Sequence, residues 1–168
     1  MNRYNLVLYP DAVLRQQAEE VKNIDGQVHE LIEAMKKIMY RYNGIGLAAP
    51  QVGYLQRIII ADAGDGLLAI INPEIVQKEG REHKEEGCLS LPEVHVDVQR
   101  SAEILVRGLD VQGNEREMEL KGLIARVVQH EVDHLNGRLI IDYAKTIERL
   151  KMANTLAKLE KMYKFKSL

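Results

Sequence analysis

The chain has 168 residues and a formal net charge of −2, with 46% apolar and 29% charged residues. These values are typical of one globular domain that buries its own core. The near-neutral charge argues against nucleic-acid binding over the whole surface, so we expect no specific DNA partner. Cys88 is the only cysteine, which excludes an internal disulfide and a stapled secreted scaffold. The sequence shows neither a secretory signal nor an apolar run of membrane-spanning length, so we expect no membrane partner and a cytoplasmic location.

Helical patterns occupy the first part of the chain. Pro10 and Asp11 predict a short helix that continues to Val21, and a turn follows at residues 25–26. A longer helix is predicted over about 27–42, because its apolar residues recur every three or four positions. This spacing predicts that one face of the helix packs against the core.

The middle of the chain is predicted to form strands. The predicted strands are rich in β-branched residues or alternate between apolar and polar residues, and turns separate them. They cover residues 57–62, 68–71, 75–84, 94–98 and 103–107. Residues 108–114 are predicted to connect a hairpin whose return strand is 115–120.

Two further helices follow the strands. The first is predicted over 122 to about 136, and the second is an amphipathic C-terminal helix over 146–163. The apolar residues assigned to the inner face of the second helix are Ile147, Leu150, Met152, Leu156, Leu159 and Met162. The pattern predicts an α+β fold in which antiparallel or mixed sheets pack around the central helix 122–136, with an N-terminal and a C-terminal helix.

His130 and His134 lie four residues apart on the central helix. Positions i and i+4 share one face of a helix, so both imidazoles can reach one metal ion. Glu131 then lies beside the open coordination position, where a water molecule needs a base. The simpler alternative is that all three are ordinary helix-face residues.

A catalytic metal needs a third protein ligand. The metzincin proteases would have a histidine where Ile140 stands, so this family is excluded. A zinc peptidase of the thermolysin kind would use a downstream glutamate, and Glu160 is the one at a plausible distance in sequence. Cys88 is the other candidate, since a thiolate and two imidazoles suit iron(II) or zinc. The residues themselves leave both candidates open.

A segment rich in glycine and alanine, residues 44–51, follows the helix 27–42. Such residues allow close approach to the backbone, and the amide of Gln51 can donate a hydrogen bond. The same segment could equally be a tight turn that packs against the core.

Three motifs together resemble those of the peptide deformylases: GIGLAAPQ at 44–51, EGCLS at 86–90 and QHEVDHLNG at 129–137. They occur in this order, and weaker similarity extends over nearly the full length. The short link between residues 60 and 71 and the helical C-terminus resemble the bacterial class with a C-terminal helix. The resemblance implies that residues 1–168 form a single peptide-deformylase-like catalytic domain around a central metal-binding helix.

The resemblance also implies a set of ligands and catalytic roles. One divalent metal, iron(II) in the native bacterial enzymes with zinc, nickel or cobalt as substitutes, would be bound by Cys88, His130 and His134. Glu131 would be the general base, and the Gln51 amide and the Leu89 backbone N–H would hold the developing oxyanion. The implied reaction removes the formyl group from the N-terminal formylmethionine of nascent polypeptides and releases formate.

Substrate contacts follow from the same resemblance. The peptide backbone would pair as an added strand along Ile45, Gly46 and the Leu91 region. The methionine side chain would enter an apolar pocket formed partly by Ile45, Leu123, Val127 and His130. The aliphatic stem of Arg126 would border this pocket while its charge reaches water.

A charged group is predicted around the metal ligands. Glu86, Arg100 and Asp133 would orient the three motifs. His95 occupies a position where many relatives have an arginine near the bound peptide.

The C-terminal region is locally basic. Its charged residues are Lys145, Arg149, Lys151, Lys158, Lys161, Lys164 and Lys166 against Glu148 and Glu160. In some bacterial relatives such a tail docks on the ribosome, which makes the ribosome a candidate partner. The alternative functions are a zinc peptidase that uses Glu160 and a catalytically silent Cys/His metal-binding protein associated with the ribosome.

Overall fold

The computed structural model describes residues 4–166, over which the chain forms three α-helices and seven β-strands. The helices are α1 (Gly26–Arg41), α2 (Gly122–Leu135) and α3 (Thr146–Lys166). The strands are β1 (Gly46–Ala48), β2 (Ile58–Ala61), β3 (Leu68–Glu79), β4 (Glu82–Cys88), β5 (Leu91–Arg100), β6 (Glu103–Leu109) and β7 (Glu115–Lys121). This architecture confirms the predicted α+β class.

The strands form two antiparallel sheets. One has five strands in the order β1-β2-β3-β6-β7, and the other is the β4-β5 hairpin. Successive side chains of a strand point to opposite faces, and β2 is buried on both. Ile58 and Ile60 pack with the apolar face of α1, whereas Ile59 and Ala61 pack with α2. Helix α2, which carries His130 and His134, is therefore held against the sheet by a continuous apolar layer.

Helix α1 follows its predicted pattern. Asp25 caps its first turn by accepting hydrogen bonds from the backbone N–H groups of Gln27 and Val28 at 2.9 and 3.1 Å. The face predicted to be apolar is buried, with Leu31, Met35 and Met39 at its centre.

The predicted helix over residues 10–21 is wrong. Only Ala12–Arg15 is helical, as a single 3₁₀ turn capped by Asp11. The residues that follow are extended, since Ala18 donates its N–H to Leu135 at 2.8 Å and Glu19 pairs with Gln56. Tertiary hydrogen bonds to distant segments thus replace the helical bonds that the local sequence favours.

The predicted strands 68–71 and 75–84 have the wrong boundaries. Strand β3 continues through Asn72 and Pro73, where its pairing with β6 is irregular. The pairing is interrupted here because a proline has no N–H to donate to the neighbouring strand. The chain then turns at Gly80, which has a positive φ of 67°, and β4 begins at Glu82. The predicted strand 94–98 is longer than expected because its pairing with β4 continues over Leu91–Arg100.

Helix α3 packs along β5, but its inner face differs from the prediction. Met152 and Leu159 are buried and Leu156 is partly buried. Ile147 and Leu150, in contrast, are 66% and 71% exposed, and Met162 is also exposed. The helix meets the domain along a narrow strip, so the predicted six-residue apolar face is wrong at these three positions. Within residues 4–166, no helix has the length and apolar character needed to cross a membrane.

Candidate metal centre and active site

Helix α2 buries an unusual number of polar side chains. Gln129, His130, Glu131 and His134 all lie in its buried part. Buried polar groups require partners, and Gln129 finds them in the backbone of Ser101, with hydrogen bonds of 3.0 and 2.9 Å. The remaining three face a common point beside the β4-β5 hairpin.

Cys88, at the end of β4, brings its sulfur to the two histidines of α2. Its Sγ lies 3.3 Å from His134 Nε2, and the two Nε2 atoms lie 3.2 Å apart. Metal–nitrogen bonds of about 2.05 Å in tetrahedral geometry would place two nitrogens about 3.3 Å apart. The three side chains thus fit the ligand set of one ion, and within residues 4–166 they form the one such cluster of His, Cys and acidic residues.

Glu160 lies outside this cluster. It is on α3, where its Oε1 accepts a hydrogen bond of 2.9 Å from the hydroxyl of Tyr9. The zinc-peptidase alternative is therefore not favoured, because its third ligand is occupied elsewhere at the surface.

Glu131 is buried beside the cluster of Cys88, His130 and His134, with an oxygen that has no hydrogen-bond partner among the described residues. Burial raises the pKa of this carboxyl from 4.5 to about 7. A group with such a pKa can accept a proton near neutral pH and release it again. Burial also lowers the pKa of His134 well below 6.5, which favours the neutral imidazole that a metal requires.

Glu86 is the hub of the hydrogen bonds around the site. Its Oε1 accepts from Arg100 Nε at 3.0 Å and from Arg126 Nη1 at 2.7 Å, and its Oε2 accepts from Arg100 Nη2 at 2.9 Å. Oε2 also lies 3.0 Å from His130 Nδ1. Burial alone would raise the pKa of Glu86, but the hydrogen bonds with His130 and Arg100 outweigh it and lower the pKa to about 2. An ionised Glu86 holds the proton on Nδ1, which leaves Nε2 to face the cluster.

The charged group extends from Glu86 through Arg100 to Asp133 on α2. Arg100 Nη1 donates to Asp133 Oδ2 at 2.5 Å, and the Tyr143 hydroxyl donates to the same oxygen at 2.7 Å. Glu86, Arg100 and Asp133 are therefore connected in the structure. Tyr143 was not identified from the sequence, because nothing in its local pattern shows that it reaches Asp133.

Gln51 lies in the 3₁₀ turn Ala49–Val52 and is buried. Its Oε1 accepts a hydrogen bond of 2.8 Å from Ala48 N, so its NH₂ group points the other way. That nitrogen lies 3.6 Å from Cys88 Sγ and 3.2 Å from the hydroxyl of buried Ser90. The glycine-rich and cysteine motifs thus meet at the amide donor.

A cavity of about 360 Å³ opens beside the cluster. Its lining residues come from three segments and are Asn43, Gly44, Ile45, Gly46, Gln51, Glu85, Glu86, Gly87, Cys88, Leu89, Leu123, Arg126, Val127, His130 and Glu131. Ile45 and Leu123 are 45% and 49% exposed, as apolar residues at a binding mouth would be. Leu91 is absent from the lining and its side chain is buried in the core under β5, so only its backbone could contact a peptide.

The expectation that the charge of Arg126 reaches water is wrong. Arg126 is 6% exposed, and its guanidinium donates to Glu86, to Val98 O at 2.9 Å and to Glu82 O at 2.8 Å. The β4-β5 hairpin covers it. An arginine on an otherwise apolar helix face was the signal that could have indicated a buried pair. His95 is exposed on β5 opposite Gly87.

The arrangement combines a buried carboxyl of raised pKa, three converging atoms that could bind one metal ion, an amide donor and a cavity. Among the described residues these groups converge beside one end of α2 and the β4-β5 hairpin. Fold and site together define a metal-dependent hydrolase with one metal centre.

The family model for polypeptide deformylases matches residues 3–150, so the chain belongs to the peptide deformylase family. The peptide deformylase of Thermodesulfovibrio yellowstonii is 47% identical over 146 residues, which cover 84% of this chain and 88% of that relative. The peptide deformylase of Thermotoga neapolitana is 46% identical over 159 residues, which cover 94% and 97%.

Solved structures agree with the sequence comparisons. The crystal structure of peptide deformylase from Thermotoga maritima has a TM-score of 0.82 and 48% identity, and covers 84% of this chain and 97% of that chain. A peptide deformylase structure from Plasmodium falciparum has a TM-score of 0.91 and 37% identity, with coverage of 95% and 97%. The chain is thus a peptide deformylase, which removes the N-formyl group from nascent peptides.

Gly46 leaves the space that Glu131 occupies. A Cβ at this position would contact Glu131 Oε1 and would lie 2.6 Å from Val127 Cγ1. We expect Gly46→Ala to lower kcat/KM about 10²-fold, because the methyl group displaces the Glu131 carboxyl. Gly26→Ala is the control, since a Cβ there meets no atom within 4 Å. Equal activity of Gly46→Ala and the wild type would show that the position of Glu131 is not critical.

Glu86→Gln should destabilise the metal-free protein in a pH-dependent way. The folded-state pKa of about 2 lies below the ordinary glutamate value of 4.5, so ionised Glu86 stabilises the fold above pH 4.5, and this stabilisation disappears as the pH falls toward 2. The variant leaves the buried guanidinium of Arg126 without a counter-charge and removes one of the two carboxylates paired with Arg100, which should cost about 3 kcal/mol at pH 7.

Urea unfolding of chelator-treated protein at several pH values measures the difference in free energy of unfolding between Glu86→Gln and the wild type. Glu117→Gln, which removes an exposed partner of Arg107, is the control and should have little effect. If the difference in free energy of unfolding between Glu86→Gln and the wild type stays constant from pH 6 to pH 3, Glu86 does not have the lowered pKa assigned to it.

Proposed function

We propose that Cys88, His130 and His134 bind the metal of this deformylase and that Glu131 is its general base. The observation that supports this most strongly is the buried, unpartnered oxygen of Glu131 beside three ligand atoms spaced for one ion. A structural metal site would have no use for a buried carboxyl with a raised pKa. The catalytically silent alternative is therefore not favoured.

The residues divide the work of hydrolysis between them. A divalent ion would supply Lewis acidity to the formyl carbonyl and to the attacking water. Glu131, with a pKa of about 7, would accept the proton of that water and return it to the departing amine. The Gln51 amide and the Leu89 N–H would donate hydrogen bonds to the oxygen on which negative charge develops.

We propose iron(II) as the native metal, on the basis of the family resemblance. A thiolate and two imidazoles also accept zinc, nickel or cobalt. Peroxide should inactivate an iron(II) enzyme faster than the same protein loaded with zinc, because peroxide oxidises iron(II) but not zinc(II), whereas oxidation of the Cys88 sulfur would remove a ligand from either metal.

The formylmethionine side chain would occupy the 360 Å³ cavity. Strand β1 is at the edge of the five-stranded sheet, so the peptide backbone could pair with Ile45 and Gly46 as an added strand. Leu123 and Val127 would then contact the side chain from α2, while the reacting carbonyl lies near Cys88. We propose that residues 1–168 carry out this reaction as one catalytic domain in the cytoplasm.

Formate release from formyl-Met-Ala-Ser by anaerobically purified protein tests the proposed roles. We expect Glu131→Ala to retain the metal but to lose about 10³-fold in kcat, since it lacks the base. Cys88→Ser should lose metal, whereas Glu160→Ala should keep both metal and activity. Full metal content in Cys88→Ser, or unchanged kcat in Glu131→Ala, would contradict the assignment.

We propose the ribosome as a partner of α3, whose Lys151, Lys158 and Lys161 are exposed. If these side chains contact phosphates, changing all three to Glu should reduce co-sedimentation with ribosomes and weaken its dependence on salt. Equivalent changes at Lys22, Lys36 and Lys37 are the control for net charge. Equal sedimentation of the two triple variants would contradict the proposal.

A further inference from the structure

The cavity assigned to the methionine side chain lies in a gap between α2 and the β4-β5 hairpin. Leu123, Arg126 and Val127 line it from the helix, and Glu85 and Gly87 line it from β4. The width of this gap therefore limits which side chains can enter.

The backbone of α2 packs mainly against β1, β2 and β7. Its connections to β4 and β5 are made by side chains. Near the C-terminal half of α2 these are the Arg100–Asp133 pair, the hydrogen bond between Glu86 and His130, and the cluster of Cys88 with the two histidines. All three connections lie at the end of the gap nearest this cluster.

Arg126 makes the connection at the other end. It precedes Asp133 by two helical turns, about 10 Å along the helix axis. Its guanidinium reaches one side-chain oxygen and two backbone oxygens, on both strands of the hairpin: Glu86 Oε1 at 2.7 Å, Glu82 O at 2.8 Å and Val98 O at 2.9 Å. Charge-assisted hydrogen bonds from a planar guanidinium depend strongly on geometry, so a wider gap would weaken all three together.

We propose that Arg126 is a positioning residue that fixes the width of the side-chain pocket and so makes this deformylase select narrow, unbranched N-terminal residues. The inference rests on the proposed use of the cavity for the formylmethionine side chain. Branched side chains need a wider gap and can enter only if the hydrogen bonds of Arg126 lengthen. Methionine and its unbranched isostere norleucine fit without lengthening these hydrogen bonds.

Competition between formyl-Met-Ala-Ser and formyl-Leu-Ala-Ser in one reaction tests the proposal. The ratio of product formation gives the ratio of kcat/KM and does not depend on how much of the enzyme is folded or loaded with metal. We expect Arg126→Met to lower the Met-to-Leu ratio at least about fivefold, within the range that pocket shape can contribute. The change should arise mainly from a lower KM for the leucine peptide. The Met-to-norleucine ratio should stay constant.

Two further variants complete the test. Arg126→Lys keeps a cation that can reach Glu86 but cannot bind all three acceptors, so its ratio should be intermediate. Arg107→Met removes an exposed guanidinium paired with Glu117 and should leave the ratio unchanged. Calorimetric binding of the products Met-Ala-Ser and Leu-Ala-Ser should show the same loss of preference in Arg126→Met without any turnover.

A Met-to-Leu ratio that is equal in the wild type, Arg126→Met and Arg126→Lys would overturn the proposal, whatever the loss in total activity. If Arg126→Met does not fold, Arg126→Lys alone decides, and an unchanged ratio again overturns it. Absence of formate release by the wild type would instead refute the proposed function, so the two failures are distinguishable.

Discussion

The alignment of α2 with the β4-β5 hairpin depends on the buried carboxylate of Glu86. It joins a strand of the β4-β5 hairpin to α2 through Arg126 and His130, and it binds Arg100 within the hairpin. Taking such charges out of water is costly, and the cost is offset only when the geometry of every partner is right. The network therefore contributes less to net stability than to placement. It fixes which nitrogen of His130 faces the cluster and how far Cys88 lies from the helix.

Stability comes instead from the apolar layers on either side of β1 and β2. Ile58 and Ile60 pack against α1, and Ile59 packs against α2, so the sheet is covered on both faces. This packing holds the helix while its polar residues face the hairpin. Helix α2 can therefore bury two histidines and a carboxyl with one unpartnered oxygen and still remain in place, because its other face packs against the sheet through residues such as Val128.

The sequence predicted the elements whose patterns are local. Helix α1 has a clear apolar period, and the spacing of His130 and His134 requires only a helix. The third ligand could not be derived in this way, because Cys88 is distant in sequence and reaches the histidines only through the hairpin; the family resemblance supplied it. The predicted helix over 10–21 failed because its backbone bonds to other segments. The prediction that the charge of Arg126 reaches water was wrong because its hydrogen-bond acceptors lie on two strands, and no local pattern in the sequence shows where these strands lie.

The environment of Glu131 also favours a catalytic centre over a structural one. A buried carboxyl that lacks a partner for one oxygen destabilises a fold, and a site that only held a metal could replace it with an apolar residue. The same burial raises its pKa to about 7. A group that must both accept and release a proton near neutral pH requires such a pKa. Gly46 provides the space for this carboxyl against the edge strand to which a peptide would bind. The proposed base, the cavity and the edge proposed for the substrate thus depend on one close approach between α2 and β1.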